Sequence, residues 1–275
     1  MRGTGLKRTN AILLVGAGRM GGALLKGWIA KGIAPIEVVE PHPSPALREL
    51  AKTAGVTLHA DLSTAPARVR ACVVALKPQL LRTEAVRLRG LAESGALMLS
   101  IAAGTSIKSM TKAWGRSARV VRAMPNTPGS IGRGIAALFA APKATDKDRV
   151  LAQSLLSALG QTVWVTREAL VDAATALSGS GPAYVFYLVE ALAEAGVAVG
   201  LPREVAEALA RATITGAGAL LDADPRPAAE LRRDVTSPGG TTEAALAVLM
   251  ADDGLRTLMT RAVAAADVRA KELSS

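Results

Sequence analysis

Gly16-Ala17-Gly18-Arg19-Met20-Gly21 follows the apolar run Ala11-Ile12-Leu13-Leu14-Val15 and opens a segment of helical periodicity. Glycines at that spacing, between a strand and a helix, build a phosphate cradle. Gly16 permits the tight turn, Gly18 lets a pyrophosphate approach the backbone, and Gly21 lets helix and strand pack closely. The helix start adds unpaired N–H groups and a partial positive charge. This chemistry suits a nicotinamide or flavin dinucleotide, although the glycines could also serve chain turning alone. Far down the chain, Thr236-Ser237-Pro238-Gly239-Gly240-Thr241-Thr242 joins hydroxyls to glycines ahead of a helix from about Glu243. The N–H groups of Gly239-Gly240-Thr241 would make an anion nest for a small carboxylate, aided by the helix dipole. The same stretch reads as an ordinary helix cap, since Thr caps well. Two anion sites in one chain favour an oxidoreductase that joins a dinucleotide to a small acidic molecule.

Glu40 lies about twenty residues beyond Gly21, where an acidic side chain often binds the adenosine ribose hydroxyls. That favours NADH, but His42, Ser44 and Arg48 follow at once and could hold a 2′-phosphate. Lys77 precedes Pro78, which enforces an extended approach to the carboxyl edge of a sheet. It is either a phosphate or ribose contact or a solvated charge at a strand end. Cys72 sits in an apolar run and reads as a small buried hydrophobe. His42 and His59 have no metal-ligand spacing with each other or with Cys72, so no metal is expected. No Ser-His-acid set belongs to a local motif, and hydrolysis has no support.

The elements that must position these residues divide the chain in two. Up to residue 165, strand-like runs alternate with helical ones: 11–15, 36–39, 72–76, 96–101, 118–124, 134–139 and 162–165 read as strands. Helices are expected at 21–31 and 45–54. That pattern predicts an α/β Rossmann-type doubly wound sheet over 1–165. From 166 to 275 the texture is Ala-rich and helical, with helices expected at 169–177, 182–199 and 202–221, a short one between the breakers 222–227 and the 236–242 turn, and a pair over 243–273. This half reads as an all-α C-terminal domain whose apolar faces pack on a partner subunit.

The net charge of +10 is unevenly placed: residues 1–165 hold 23 Lys/Arg against 8 Asp/Glu, and the rest hold 10 against 15. A basic first half suits a phosphate-bearing cofactor. Only seven residues are Phe, Trp or Tyr, and none interleaves a basic cluster, which argues against nucleic acid. No apolar run is long enough for a membrane span, and Met1 to Asn10 is polar and basic, without a signal-peptide core. A cytoplasmic protein with a loose N-terminal tail is the expectation.

Four further segments converge with the two anion sites: Val74-Ala75-Leu76-Lys77-Pro78-Gln79, Ser100-Ile101-Ala102-Ala103-Gly104, Arg122-Ala123-Met124-Pro125-Asn126-Thr127-Pro128 and Leu177-Ser178-Gly179-Ser180-Gly181-Pro182-Ala183-Tyr184. In this order, over nearly its whole length, the chain resembles the pyrroline-5-carboxylate reductase family. The resemblance implies reduction of 1-pyrroline-5-carboxylate to L-proline by NADPH or NADH, the last step of proline biosynthesis. It also implies a helical dimerisation domain, and such enzymes often assemble further into rings of dimers. By matching motif, Gly16, Ala17, Gly18, Arg19, Met20 and Gly21 with Glu40, Lys77, Pro78, Ala102 and Ala103 would line the cofactor, and Asn126 would lie near its nicotinamide end. Ser237, Gly239, Gly240, Thr241 and Thr242 would hold the substrate, with the Thr242 hydroxyl near the ring nitrogen as the catalytic group. Two positions depart from the family. Leu62 stands where an Asn often contacts the adenosine side, and Met250 replaces an acidic or amide residue. A 3-hydroxyacid dehydrogenase would share the Rossmann half but generally uses a helical-domain lysine, and residues 166–275 hold only Lys271. A noncatalytic dinucleotide-binding regulator is the other alternative.

Overall fold

The computed structural model describes residues 10–274. The expected N-terminal tail therefore lies outside the described residues up to position 9. Two compact units form: one runs to Gly179 and takes in the chain from Asp267 onward, and the other is Ser180–Ala266.

The first unit is built on one eight-stranded sheet in the order β3-β2-β1-β4-β5-β6-β7-β8. Its strands are β1 (Ile12–Val15), β2 (Ile36–Val39), β3 (Thr57–His59), β4 (Ala71–Val74), β5 (Leu97–Ser100), β6 (Arg119–Met124), β7 (Gly134–Ala140) and β8 (Gly160–Trp164). All neighbours are parallel except β6 and β7. Only the turn through Thr127–Ile131 separates β6 from β7, too short a link for the crossover that a parallel pair requires. The short β3 is absent from the sequence reading because Thr57-Leu58-His59 carries no apolar run. β4 stops at Val74, short of the expected 76, as the chain turns towards Pro78.

Among the described residues, seven α-helices lie wholly in this unit: α1 (Arg19–Ala30), α2 (Pro45–Ala54), α3 (Pro78–Glu84), α4 (Arg89–Glu93), α5 (Ile107–Trp114), α6 (Asp146–Leu156) and α7 (Ala169–Ala174). Alternation along β1 shows how they cover both faces. Ile12 and Leu14 join one core with Leu24, Leu25 and Trp28 of α1. Leu13 and Val15 join the other with Leu81, Met110 and Trp114. Both buried tryptophans donate their ring N–H, Trp28 to the Leu155 carbonyl at 2.8 Å and Trp114 to that of Ala85 at 3.0 Å. Each core thus keeps its polar atoms satisfied.

The second unit is helical: α8 (Gly181–Ala198), α9 (Arg203–Ala223), α10 (Ala228–Asp234), α11 (Thr241–Leu249) and the start of α12 (Leu255–Ser274). Pro182 sits in the first turn of α8, where its missing N–H costs nothing. The end of α12 belongs to the first unit.

Candidate functional site

The glycine-rich turn joins β1 to α1 with geometry that needs glycine for separate reasons. Gly16 has φ +91°, and a Cβ there would approach the Ala75 carbonyl at 3.0 Å. A Cβ on Gly21 would collide with the Gly16 carbonyl, backbone against backbone. At Gly18 a Cβ would meet no atom of the chain within 4 Å. The fold itself does not demand glycine there, whereas an approaching pyrophosphate would. No side chain caps α1, and its first turn carries no acidic residue, which keeps its positive end suited to an anion. Arg19 is exposed and Met20 half-buried at the helix start. The residues present fit a dinucleotide phosphate.

Glu40 follows β2 and ties the turn in place. One carboxylate oxygen accepts from the Ala17 N–H at 2.9 Å and the other from the His42 N–H at 3.2 Å. The Gly16 N–H donates to the Val39 carbonyl at 2.9 Å. Of the residues that could hold a 2′-phosphate, Ser44 caps α2 by accepting from the Leu47 N–H, and Arg48 donates its Nε to the Pro43 carbonyl at 3.2 Å.

Beside the turn lies a cavity of about 390 Å³, with Val15, Val39, Leu62, Leu76 and Leu88 among its apolar lining. Glu40, Asp61, Glu84 and Arg87 also line it. Arg87 bridges the last two acids, at 2.6 Å to Asp61 and 2.6 Å to Glu84. The Ser63 backbone N–H, followed by the Arg87 guanidinium, holds the Asp61 carboxyl well below the usual carboxylate range. Leu62 contributes apolar surface to this cavity. Arg87 has no signature in the sequence, because Asp61 lies 26 residues away.

Lys77 is exposed and caps α3, with Pro78 at its first position. Ala102 is buried after β5 and donates its N–H to the Ser100 hydroxyl at 3.3 Å, while Ala103 is half-buried. Asn126 uses both ends of its amide on the backbone: Nδ2 donates to the Ser178 carbonyl at 3.1 Å, and Oδ1 accepts from the Ile135 N–H at 2.9 Å. Ser178 lies in a π-helical turn at Thr175–Gly179, where the expected helix 169–177 changes pitch. Such a turn departs from the α-helical bonding pattern, and Asn126 gives its Ser178 carbonyl a partner. The same stretch contains a buried network the sequence does not foretell. Arg122, 2% exposed, donates to Asp172 at 2.6 Å and to Glu168 at 3.0 Å, and Glu168 also accepts from the Ile107 N–H at 2.6 Å.

In the second unit, Ser237-Pro238-Gly239-Gly240 forms a tight turn with Gly239 at φ +69° and the Gly240 N–H donating to the Ser237 carbonyl at 3.0 Å. Proline followed by a positive-φ glycine is the pattern of a type II turn. The Gly239 N–H is engaged by Glu243 Oε2 at 2.7 Å. Two amides of the expected nest are therefore already used, one by Ser237 and one by Glu243 of α11. The cap of α11 is Gly240, which has no side chain to bond the first turn, and that turn carries Glu243. Thr241 and Thr242 lie in the first turn of the helix, with Gly240 rather than a threonine at the cap. Thr241 is exposed and Thr242 half-buried in the first turn. Met250 ends α11 half exposed.

Comparison with known proteins adds a separate line. Residues 168–273 match the family model described as pyrroline-5-carboxylate reductase dimerisation, and residues 11–104 match that of NADP oxidoreductase, coenzyme F420-dependent. A pyrroline-5-carboxylate reductase of Pseudomonas aeruginosa is 37% identical over 97% of each chain. A solved pyrroline-5-carboxylate reductase from Coxiella burnetii superposes with TM-score 0.89 at 37% identity, covering 98% of this chain and 100% of that one. The Plasmodium falciparum pyrroline carboxylate reductase, solved with NADP bound, gives 0.80 at 26% identity, over 98% and 99%.

Proposed function

The chain belongs to the pyrroline-5-carboxylate reductase family, and from that premise we propose that it reduces 1-pyrroline-5-carboxylate to L-proline with NADPH or NADH. The observation that carries the substrate side is the uncapped start of α11. With the Gly239 amide engaged by Glu243 and the Gly240 amide by Ser237, the first-turn amides at Thr241 and Thr242 would receive a carboxylate, assisted by the helix dipole. The neighbouring hydroxyls of Ser237 and Thr242 complete the set.

When bound, reduced nicotinamide supplies the hydride for the imine carbon. Gly16 to Gly21 would hold its pyrophosphate, and Glu40, Lys77, Pro78, Ala102 and Ala103 would line the rest. Asn126 acts in this reading by fixing the backbone at Ser178 and Ile135, since both ends of its amide are occupied. A cyclic imine already carrying its proton accepts hydride readily, so the chain's main contribution is to hold the carboxylate and orient the ring. Thr242 would bond the ring nitrogen and keep its proton in place. An alcohol is too weak an acid to supply that proton efficiently at neutral pH.

Purified protein should consume reduced cofactor and form L-proline in equal amounts when given 1-pyrroline-5-carboxylate, followed by absorbance and mass spectrometry. Tight cofactor binding without turnover would overturn the reductase reading. Thr242→Ala should raise KM and lower kcat with cofactor affinity unchanged, and wild-type kinetics would remove Thr242 from the site. The reading includes a homodimer through the helical unit, with rings of dimers as a higher assembly. It places the reaction in the cytoplasm, which cell fractionation checks.

A further inference from the structure

The glycine turn follows β1 at the carboxyl edge of the sheet, and the opposite edge holds a second polar cavity. Ile12, Ala71, Leu97 and Arg119 lie in register at that amino edge, across β1, β4, β5 and β6. The cavity beside them has about 270 Å³, and three cations, Arg70, Arg119 and Lys147, line it against one carboxylate, Asp148. That acid is already committed. Asp148 is 3% exposed; one oxygen accepts from Arg119 at 2.8 Å, and the other accepts from the Thr145 N–H at 2.9 Å and its hydroxyl at 2.8 Å. Arg119 donates to the Gly95 carbonyl as well, so its guanidinium is held at two points. Arg70 and Lys147 differ, because both are exposed and neither side chain has a hydrogen bond or ion pair among the described residues. Arg70 is nevertheless placed by its backbone: its N–H donates to the Ala11 carbonyl at 2.9 Å, and its carbonyl accepts from the Leu97 N–H at 3.1 Å. Lys147 lies in the first turn of α6, where the helix dipole disfavours a cation. Asp146, the other acid of that turn, does not line the cavity. Two of the three cations are left unbalanced.

We propose that this cavity is a binding site for a small phosphate-type dianion, separate from the glycine turn. Guanidinium groups match adjacent phosphate oxygens in geometry and charge, and a lysine adds a compact point charge. Arg119, anchored on Asp148 and Gly95, supplies a fixed wall, while Arg70 and Lys147 supply the uncompensated charge. Two unbalanced cations answer the two negative charges of a phosphate. The volume of about 270 Å³ falls below the roughly 300–1,000 Å³ of cavities that take drug-sized ligands. It suits one phosphoryl group rather than a dinucleotide. The ligand is therefore inorganic phosphate or the phosphoryl group of a small organic phosphate.

Titration calorimetry of the full-length protein with inorganic phosphate, and separately with glycerol 3-phosphate, tests this at an ionic strength held constant with sodium chloride, so that general screening does not change. A saturable site is expected. Arg70→Gln and Lys147→Gln should each weaken it about tenfold, the loss of one charge-assisted hydrogen bond. Both variants should melt within about 2 °C of wild type, as exposed substitutions do. Arg19→Gln, at the glycine turn on the opposite edge, should leave this site as it is. Tighter binding of glycerol 3-phosphate would identify an organic ester as the ligand, and tighter binding of inorganic phosphate the free ion. No saturable binding of either, or an affinity that neither Arg70→Gln nor Lys147→Gln moves, would overturn the site. Loss of binding in Arg19→Gln in place of those two variants would assign the phosphate to the glycine turn and overturn it equally.

Discussion

At the scale of single residues, the glycines of the turn separate two kinds of constraint. Gly21 is required by the chain, because a Cβ would strike the Gly16 carbonyl, whereas Gly18 is free of any such contact. Gly21→Ala should therefore lower the melting temperature and cofactor affinity together. Gly18→Ala should leave melting within about 2 °C, given the small effect expected of an unhindered surface change, yet still weaken cofactor binding. Calorimetry with and without NADH checks both, and a large loss of stability in Gly18→Ala would contradict the geometry. Cys72 offers a second test. Burial pushes its thiol up from 9.0 to about 12. Between those values the unfolded chain has released the proton and the native one has not, so stability falls as pH rises through that window. Cys72→Ala should flatten the alkaline decline in urea midpoints, and identical slopes would show that the thiol does not contribute.

At the scale of elements, every strand but β3 and the helices α1 and α2 were readable because their signals are local. The Arg122 network was not, since its partners Glu168 and Asp172 lie 46 and 50 residues away. This side chain joins β6 to α7, and Asp172 also accepts from Ser274 at the end of α12. Removing it leaves Asp172 nearly buried without its cation. Arg122→Ala should cost about 3 kcal/mol in urea unfolding, the lower part of the range for breaking a buried pair because Glu168 is partly solvated. A change below about 1 kcal/mol would place the network among surface pairs. The cap of α11 is a similar case. Thr241 and Thr242 favour capping by residue type, but the turn through Gly239 sets Gly240 there instead.

At the scale of the whole molecule, the second unit does not bury itself. Only Ala193, Ala206 and Ala210 are buried in it, while Phe186, Tyr187 and Val248 are 63%, 70% and 72% exposed. Helices with apolar faces left open require a partner surface, and the matched dimerisation model supports another copy of the chain. Light scattering should give at least twice the mass of one chain, and Phe186→Glu should weaken the assembly. A wild-type monomer at micromolar concentration would refute this. No helix among the described residues is long and apolar enough to cross a membrane.

The sequence by itself determined the Rossmann-type sheet, the helical second half, the glycine turn between β1 and α1, and the hydroxyl-rich loop before α11. Each is a short-range pattern, in which neighbours along the chain set strand alternation, helix periodicity and turn conformation. Only the tertiary structure decided that Asn126 spends its amide on the backbone, that Leu62 and Arg87 line one cavity with Glu40, and that Arg122 is buried among acids. Those outcomes depend on residues brought together across the sheet and its helices, where partner identity is fixed by packing and by the need to satisfy buried polar groups.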